Sequence, residues 1–238
     1  MSAPPPIDHA LILAAGRGER MRPQTDHTPK PLLPVQGKPL IVWHLEALAA
    51  AGVCHVVINT AWLEDKIPTV LGDGSRWGLH ITYSLEGRDH GGALETAGGI
   101  KKALPLLGDC FWLVAGDIYA PTFAFDASAA ADFAHSDALA HLWMVPNPPY
   151  HPHGDFGITA HGLGLDGPGP DGQRWTYSSL ALVRAELCRS LPVGQKAALG
   201  PLLKDGIRQQ RITASRFEGP WHNVGTPEQL AALNQASS

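Results

Sequence analysis

Leu11 to Val35 reads LILAAGRGERMRPQTDHTPKPLLPV, and this stretch carries the first unit of the fold. The apolar run His9 to Ala14 is continuous rather than alternating and stops at Gly16, the pattern of a strand buried on both faces of a parallel sheet. Downstream, Pro39 to Ala51 (PLIVWHLEALAAA) puts Leu40, Ile41, His44, Leu45 and Leu48 on one helical stripe, with Pro39 suited to the first turn and Gly52 to the stop. The alternation then recurs: strand His55 to Asn59, helix near Trp62 to Leu71, strand Leu79 to Tyr83, helix near Leu94 to Leu106, strand Phe111 to Ala115. Such order predicts right-handed crossovers and a parallel sheet. Ligands bind such sheets beyond the carboxyl ends of the strands, where Gly16, Ser84 and Gly116 emerge.

Past Pro121 the pattern loosens into a helix near Ala127 to His135, a strand Ala138 to Val145 and the loop NPPYHPHGD. The turn-rich HGLGLDGPGPDGQ is expected to join two antiparallel strands, the second being Thr176 to Val183, as a smaller substrate-facing layer on the sheet. A helix near Leu199 to Gln209, a strand Ile212 to Phe217 and a helix from Thr226 complete the chain. The expected fold is α/β: a Rossmann-like mixed, mainly parallel sheet flanked by helices, forming a single domain over residues 9–235 behind a disordered tail at 1–8.

At 238 residues, 44% hydrophobic and 17% charged, the composition is that of a globular protein. A net charge of -4 argues against a broad nucleic-acid surface. Cys54, Cys110 and Cys188 lack any C-x-x-C spacing and read as small buried hydrophobes. MSAPPPIDH has neither a basic nor an apolar leader segment, and no apolar run reaches the ~18 residues of a membrane span, so a cytoplasmic protein is expected.

Glycines directly after a buried strand let a ligand approach the backbone and present N–H groups to anions. The dinucleotide fingerprint G-x-G-x-x-G fails, because Gly16-Arg17-Gly18-Glu19-Arg20-Met21 has no third glycine, and no G-x-x-x-x-G-K-[ST] loop occurs. Positive charge takes its place. Arg17, Arg20, Arg22 and Lys30 crowd the same irregular segment, arginine being suited to clamping phosphate and lysine to a transferring phosphoryl group. Pro29 and Pro31 stiffen the backbone on either side of Lys30.

The run L-A-A-G-x-G-x-R-M-x-P-x-T-x-x-x-P-K-P over Leu13 to Pro31 resembles the signature of the sugar-1-phosphate nucleotidylyltransferases. The likeness continues through PLIVWHLEALAAAGV, LETAGGI, Gly116-Asp117, NPPYHPHGDF and Trp221 to Thr226 (WHNVGT), and is strongest to the members that transfer uridylyl to N-acetylmuramate 1-phosphate. It implies a GT-A-like fold, a nucleoside triphosphate (UTP, with GTP the alternative) and a sugar 1-phosphate as partners, and a monomer or homodimer. Leu13, Ala14, Ala15, Gly16, Gly18, Glu19 and Gly116 are then expected at the nucleotide, Arg20 at its β and γ phosphates and Lys30 at the α phosphate or attacking sugar phosphate. Such transfers need positioning and charge neutralisation more than covalent help.

The resemblance also implies magnesium, with Asp117 as first ligand; an aspartate after an apolar strand and a glycine sits where strand ends meet the crevice. The family's second ligand is the aspartate of W-x-D-V-G-T, and this chain has Asn223 there, an amide oxygen without charge. Either Asn223 still ligates, or the protein binds nucleotide sugars without turnover. Glu95, Thr96 and Gly98 in LETAGG fall where the family reads base and ribose, behind an EGRDHGGA insert longer than usual. Asn147, His151, His153 and Asp155 offer groups to sugar hydroxyls, and Ser179 follows from the family segment Tyr177-Ser178-Ser179; His151-x-His153 lacks a third metal ligand. A mannose 1-phosphate guanylyltransferase is the nearest rival reading.

Overall fold

The computed structural model describes residues 7–235. Its centre is a seven-stranded sheet of β1 (His9–Leu13), β2 (His55–Thr60), β3 (His80–Leu85), β4 (Cys110–Ala115), β5 (Ala140–Val145), β6 (Thr176–Arg184) and β7 (Ile212–Arg216), in the order β7-β5-β6-β4-β1-β2-β3. β1 lies between β2 and β4, parallel to both, and Ala10, Leu11 and Ile12 are fully buried. A continuous apolar run is what such a two-sided position demands. Every pairing is parallel except those of β6, which runs antiparallel to both β4 and β5.

Helices α1 (Leu40–Ala50), α2 (Lys66–Leu71), α3 (Glu86–His90), α4 (Glu95–Ala103), α5 (Ala127–His135), α6 (Glu186–Arg189), α7 (Leu199–Arg208) and α8 (Pro227–Gln235) flank the sheet. Successive strand residues face opposite ways. Ile12 therefore joins Ile41, Leu45, Trp112 and Phe133 in one core layer, while Leu11 joins Ala97, Ile100, Phe111 and Leu203 in the other. A third cluster, Met21, Leu33, Val35, Leu40, Val224, Leu230 and Leu233, fastens the opening loop to α8 and to the segment around Asn223. These contacts span about two hundred residues of sequence, and they bring the two ends of the site together.

Several expectations need correction. The strands at Ala138 to Val145 and Thr176 to Val183 do not form a separate layer; they are members of the main sheet. The smaller β structure comes from two-residue ribbons, Ile118–Tyr119 with His222–Asn223, Gly157–Ile158 with Gly164–Leu165, and Pro34–Val35 with Lys38–Pro39. The helix expected from Trp62 begins at Lys66, because Leu63 adopts a left-handed φ of 49°. Of the tail at 1–8, residues 1–6 lie outside the described residues, but Ile7 packs on the core and the Asp8 carbonyl accepts from the Cys54 and His55 N–H groups. Cys188 is buried as expected; Cys110 is half-buried and Cys54 is exposed. No helix among the described residues is long and apolar enough to cross a membrane.

Candidate active site

β1 ends at Leu13, and the chain enters a succession of short 3-10 turns, Glu19–Met21, Gln24–Asp26 and Lys30–Leu32. Gly18 makes the bend possible. Its φ is 66°, and a Cβ there would lie 3.1 Å from Thr25 Cγ2 and 3.2 Å from Lys30 Cβ, so the loop closes on itself only around glycine. The Gly18 carbonyl accepts from Thr25 Oγ1 at 2.9 Å.

This geometry sorts the four cations. Arg17 stacks over the Trp62 ring, 4.0 Å from its centroid, and Arg22 pairs with Asp26 at 2.8 Å. Both belong to the rim. Arg20 and Lys30 instead line a cavity of about 670 Å³ beyond the carboxyl ends of β1, β2 and β4, together with Leu13, Ala14, Ala15, Gly16, Gly18 and Glu19. Lys30 is 8% exposed and donates from Nζ to Asp117 Oδ2 at 2.7 Å. Asp117 follows β4 at the point where the Ile118–Tyr119 ribbon begins, and Ile118 pairs with Asn223. The Asp117 carbonyl also accepts from the Val224 N–H at 3.0 Å. Arg20 completes this wall: a Cβ on Gly225 would come within 3.4 Å of its Nη2.

Asn223 Oδ1 is buried and has no hydrogen-bond donor. A buried acceptor without a donor is costly, roughly 1–3 kcal/mol, unless something else takes its lone pairs. The Asp117 carboxylate, one residue before the Ile118–Asn223 pair, and this amide oxygen are hard oxygen donors, the donor set magnesium takes when phosphates and water complete its shell. Among the described residues no group of three or more His, Cys, Asp or Glu could hold a metal. A cation here would need oxygens from substrate.

Glu95 and Thr96 line the cavity from the start of α4, with Ala93 before them, and Ser179 lines it separately from β6. Glu95 (φ 61°) and Ser179 (φ 63°) are both left-handed, and Ser179 sits where the β5/β6 register shifts. Non-glycine residues held this way cost of order 1–3 kcal/mol and gather where ligands bind. Behind the cavity, Glu86 is fully buried; burial raises its carboxyl pKa, opposed by the Leu94 N–H and the Asn59 amide.

Six expected site residues, Gly98, Gly116, Asn147, His151, His153 and Asp155, lie outside this lining. Gly98 is packed under the 195–197 segment, where a Cβ would meet Gln195 O at 2.4 Å, and its N–H donates to Ala197 O. Gly116 is likewise a packing glycine, 2.9 Å from Leu13 O at the Cβ position. Asn147 lines a second hollow of about 590 Å³ with Tyr150, Trp221 and Asn223, but its amide is occupied by Pro152 O, Arg174 O and Thr176 Oγ1. Asp155 accepts from the Tyr177 N–H at 2.8 Å and pairs with His151. These two build the loop.

Asn59 and Tyr150 were not anticipated. Asn59 lines the cavity at the end of the apolar strand HVVINT, and a polar residue ending such a strand was a legible signal. Tyr150, 54% exposed, has its phenol near Asn223 and in the field of Arg20 and Asp117; burial raises its pKa, and the Asn223 N–H and Arg20 oppose that rise. Nothing in NPPYHPHGDF marks it out.

Comparison with known proteins agrees with this architecture. The nucleotidyl transferase family model matches residues 9–168. The chain is 46% identical over 221 residues to the N-acetylmuramate alpha-1-phosphate uridylyltransferase of Neisseria meningitidis serogroup B, covering 91% of this chain and 93% of that one. It is 35% identical to the protein of the same name from Caulobacter vibrioides, covering 98% and 97%. Among solved structures, a Bacillus anthracis protein described as a glucose-1-phosphate thymidylyltransferase superposes with a TM-score of 0.79 at 19% identity, covering 96% and 95%, and so shares the fold. With the matched segment holding the glycine loop, Arg20, Lys30 and Asp117, the chain belongs to the nucleotidyl transferase family.

Proposed function

We propose that residues 9–235 act as one catalytic domain that transfers uridylyl from UTP to N-acetylmuramic acid 1-phosphate in the cytoplasm, releasing pyrophosphate. The observation that carries this is the convergence of Arg20, the Lys30–Asp117 pair and the free Asn223 oxygen on one glycine-walled cavity. A sugar-phosphate oxygen attacks the α-phosphorus as the bond to the departing pyrophosphate breaks. The backbone of Ala15 to Gly18 cradles the triphosphate, Arg20 neutralises its β and γ groups, and Lys30 steadies charge at the α-phosphate. Holding the two phosphates in line is worth roughly 7–11 kcal/mol. Asp117 and Asn223 would hold magnesium, which would supply charge neutralisation on the triphosphate. The uridylyl and N-acetylmuramate assignments rest on the relatives from Neisseria meningitidis and Caulobacter vibrioides.

Purified protein incubated with UTP, GTP or dTTP and a panel of sugar 1-phosphates, while pyrophosphate is followed, tests the reading. Magnesium-dependent release with UTP and N-acetylmuramic acid 1-phosphate is expected. A preference for GTP and mannose 1-phosphate would replace the substrates, and nucleotide binding without release would make the protein a non-catalytic binder.

A further inference from the structure

Behind the phosphate loop runs a buried chain of three hydrogen bonds. The Ala14 N–H donates to Asn59 Oδ1 at 2.7 Å, Asn59 Nδ2 donates to Glu86 Oε1 at 2.7 Å, and the Leu94 N–H donates to Glu86 Oε2 at 2.8 Å. Asn59 is 2% exposed and Glu86 is sealed. Both ends are main-chain N–H groups, which can never accept, so the polarity of the chain is imposed from both sides. One group between them must accept from Ala14 and donate onward, and the other must accept twice. An amide followed by a carboxylate meets that demand with no donor facing a donor. Space is reserved for it as well: a Cβ on Gly99 would lie 2.6 Å from Glu86 Oε1 and 2.7 Å from Asn59 Nδ2.

The two anchored N–H groups belong to different segments around the cavity, the loop after β1 and the loop before α4. Ala14 opens the glycine loop, and Leu94 immediately precedes Glu95 and Thr96. We infer that Glu86 is a positioning residue for the nucleotide: acting through Asn59, it fixes the loop that faces the triphosphate relative to the loop on the nucleoside side. Glu86 is not itself in the cavity lining and touches no reacting atom. The inference rests on the nucleotide site proposed above. Its consequence is selective, since the brace ties together the nucleotide's two loops and leaves the Ser179 side alone.

A reciprocal exchange tests it. Glu86→Gln presents an N–H group to one of two donors, and Asn59→Asp sets a second carboxylate against Glu86. Each single variant is expected to raise the KM for UTP at least tenfold, with the KM for the sugar 1-phosphate within about threefold of wild type. In the double variant the carboxylate at position 59 accepts from Ala14 and from the amide at position 86, whose oxygen accepts from Leu94. All three bonds return, and the KM for UTP is expected within about threefold of wild type.

Singles with a wild-type KM for UTP, a double no better than the worse single, or equal rises in both KM values would overturn the inference. Should a single fail to fold by circular dichroism, the double decides alone: wild-type KM supports the brace, and a tenfold rise or an unfolded double refutes it. A wild-type protein that neither binds nor turns over UTP would overturn the nucleotide reading itself, an outcome distinct from these.

Discussion

Lys30 Nζ stands 2.7 Å from Asp117 Oδ2 across 87 residues of sequence, with the lysine almost sealed from solvent. Neither charge is cheap to leave without the other at such a site. Asp117→Asn removes the anionic partner and the proposed metal ligand together, so pyrophosphate release is expected to fall at least about a hundredfold, the scale of losing one preorganised charge-stabilising group. Wild-type turnover in that variant would remove Asp117 from the reaction.

Asn223→Asp tests the neutral oxygen opposite Asp117. A second carboxylate would attract a divalent cation more strongly; two unit charges about 4 Å apart interact by about 4 kcal/mol at an effective dielectric of 20. The magnesium concentration for half-maximal turnover should fall about tenfold or more. Melting temperature in EDTA should fall too, because two like charges then face each other without a cation. An unchanged magnesium dependence would refute ligation at position 223.

Two glycines separate packing from binding. At Gly98 a Cβ would meet Gln195 O at 2.4 Å, so Gly98→Ala is expected to lower stability by about 1–3 kcal/mol. At Gly16 nothing lies within 4 Å of the added carbon. Gly16→Ala should melt with wild type and instead raise the KM for the nucleoside triphosphate, since the methyl enters the cavity. Scanning calorimetry with steady-state kinetics checks both, and a destabilised Gly16→Ala would contradict this division.

Glu95 holds φ at 61° at the start of α4. Glycine has no Cβ to strain there, so Glu95→Gly is expected to stabilise the fold by about 1 kcal/mol. Chemical denaturation measures this, and a loss of stability would show that the Glu95 side chain makes a compensating contact.

His141 carries the clearest pH signal away from the site. Its ring meets Thr213 Oγ1 at 2.9 Å and Ser215 Oγ at 3.0 Å, and burial lowers its pKa from 6.5 to about 4. Between those values the unfolded chain binds the proton and the folded one does not, so stability rises with pH across the window. Acidification from pH 6.5 to 4 should remove up to roughly 3 kcal/mol through this residue. In His141→Gln that slope should flatten, as followed by urea unfolding at stepped pH.

Local physics made much of this molecule readable. A 3.6-residue period announced α1, and Leu40, Ile41, His44, Leu45 and Leu48 are buried as their spacing requires. The crowding of Arg17, Arg20, Arg22 and Lys30 announced an anion. Which of them face the cavity was not readable, because Trp62 takes Arg17 and Asp26 takes Arg22 by contacts that spacing does not encode. Nor was the place of β6, since an antiparallel strand inserted between β4 and β5 has the same alternation as one in a separate layer.

What the chain's order of residues determined was the set of elements, the glycine bend after β1 and the kinds of charge gathered there, all consequences of interactions within a few residues. Only the tertiary structure decided that Lys30 meets Asp117, that Asn223 arrives with an unclaimed oxygen, and that Asn59 and Glu86 brace the cavity from behind. Those contacts join residues from 27 to 105 positions apart, and their geometry follows from strand order and layer packing rather than from any local preference.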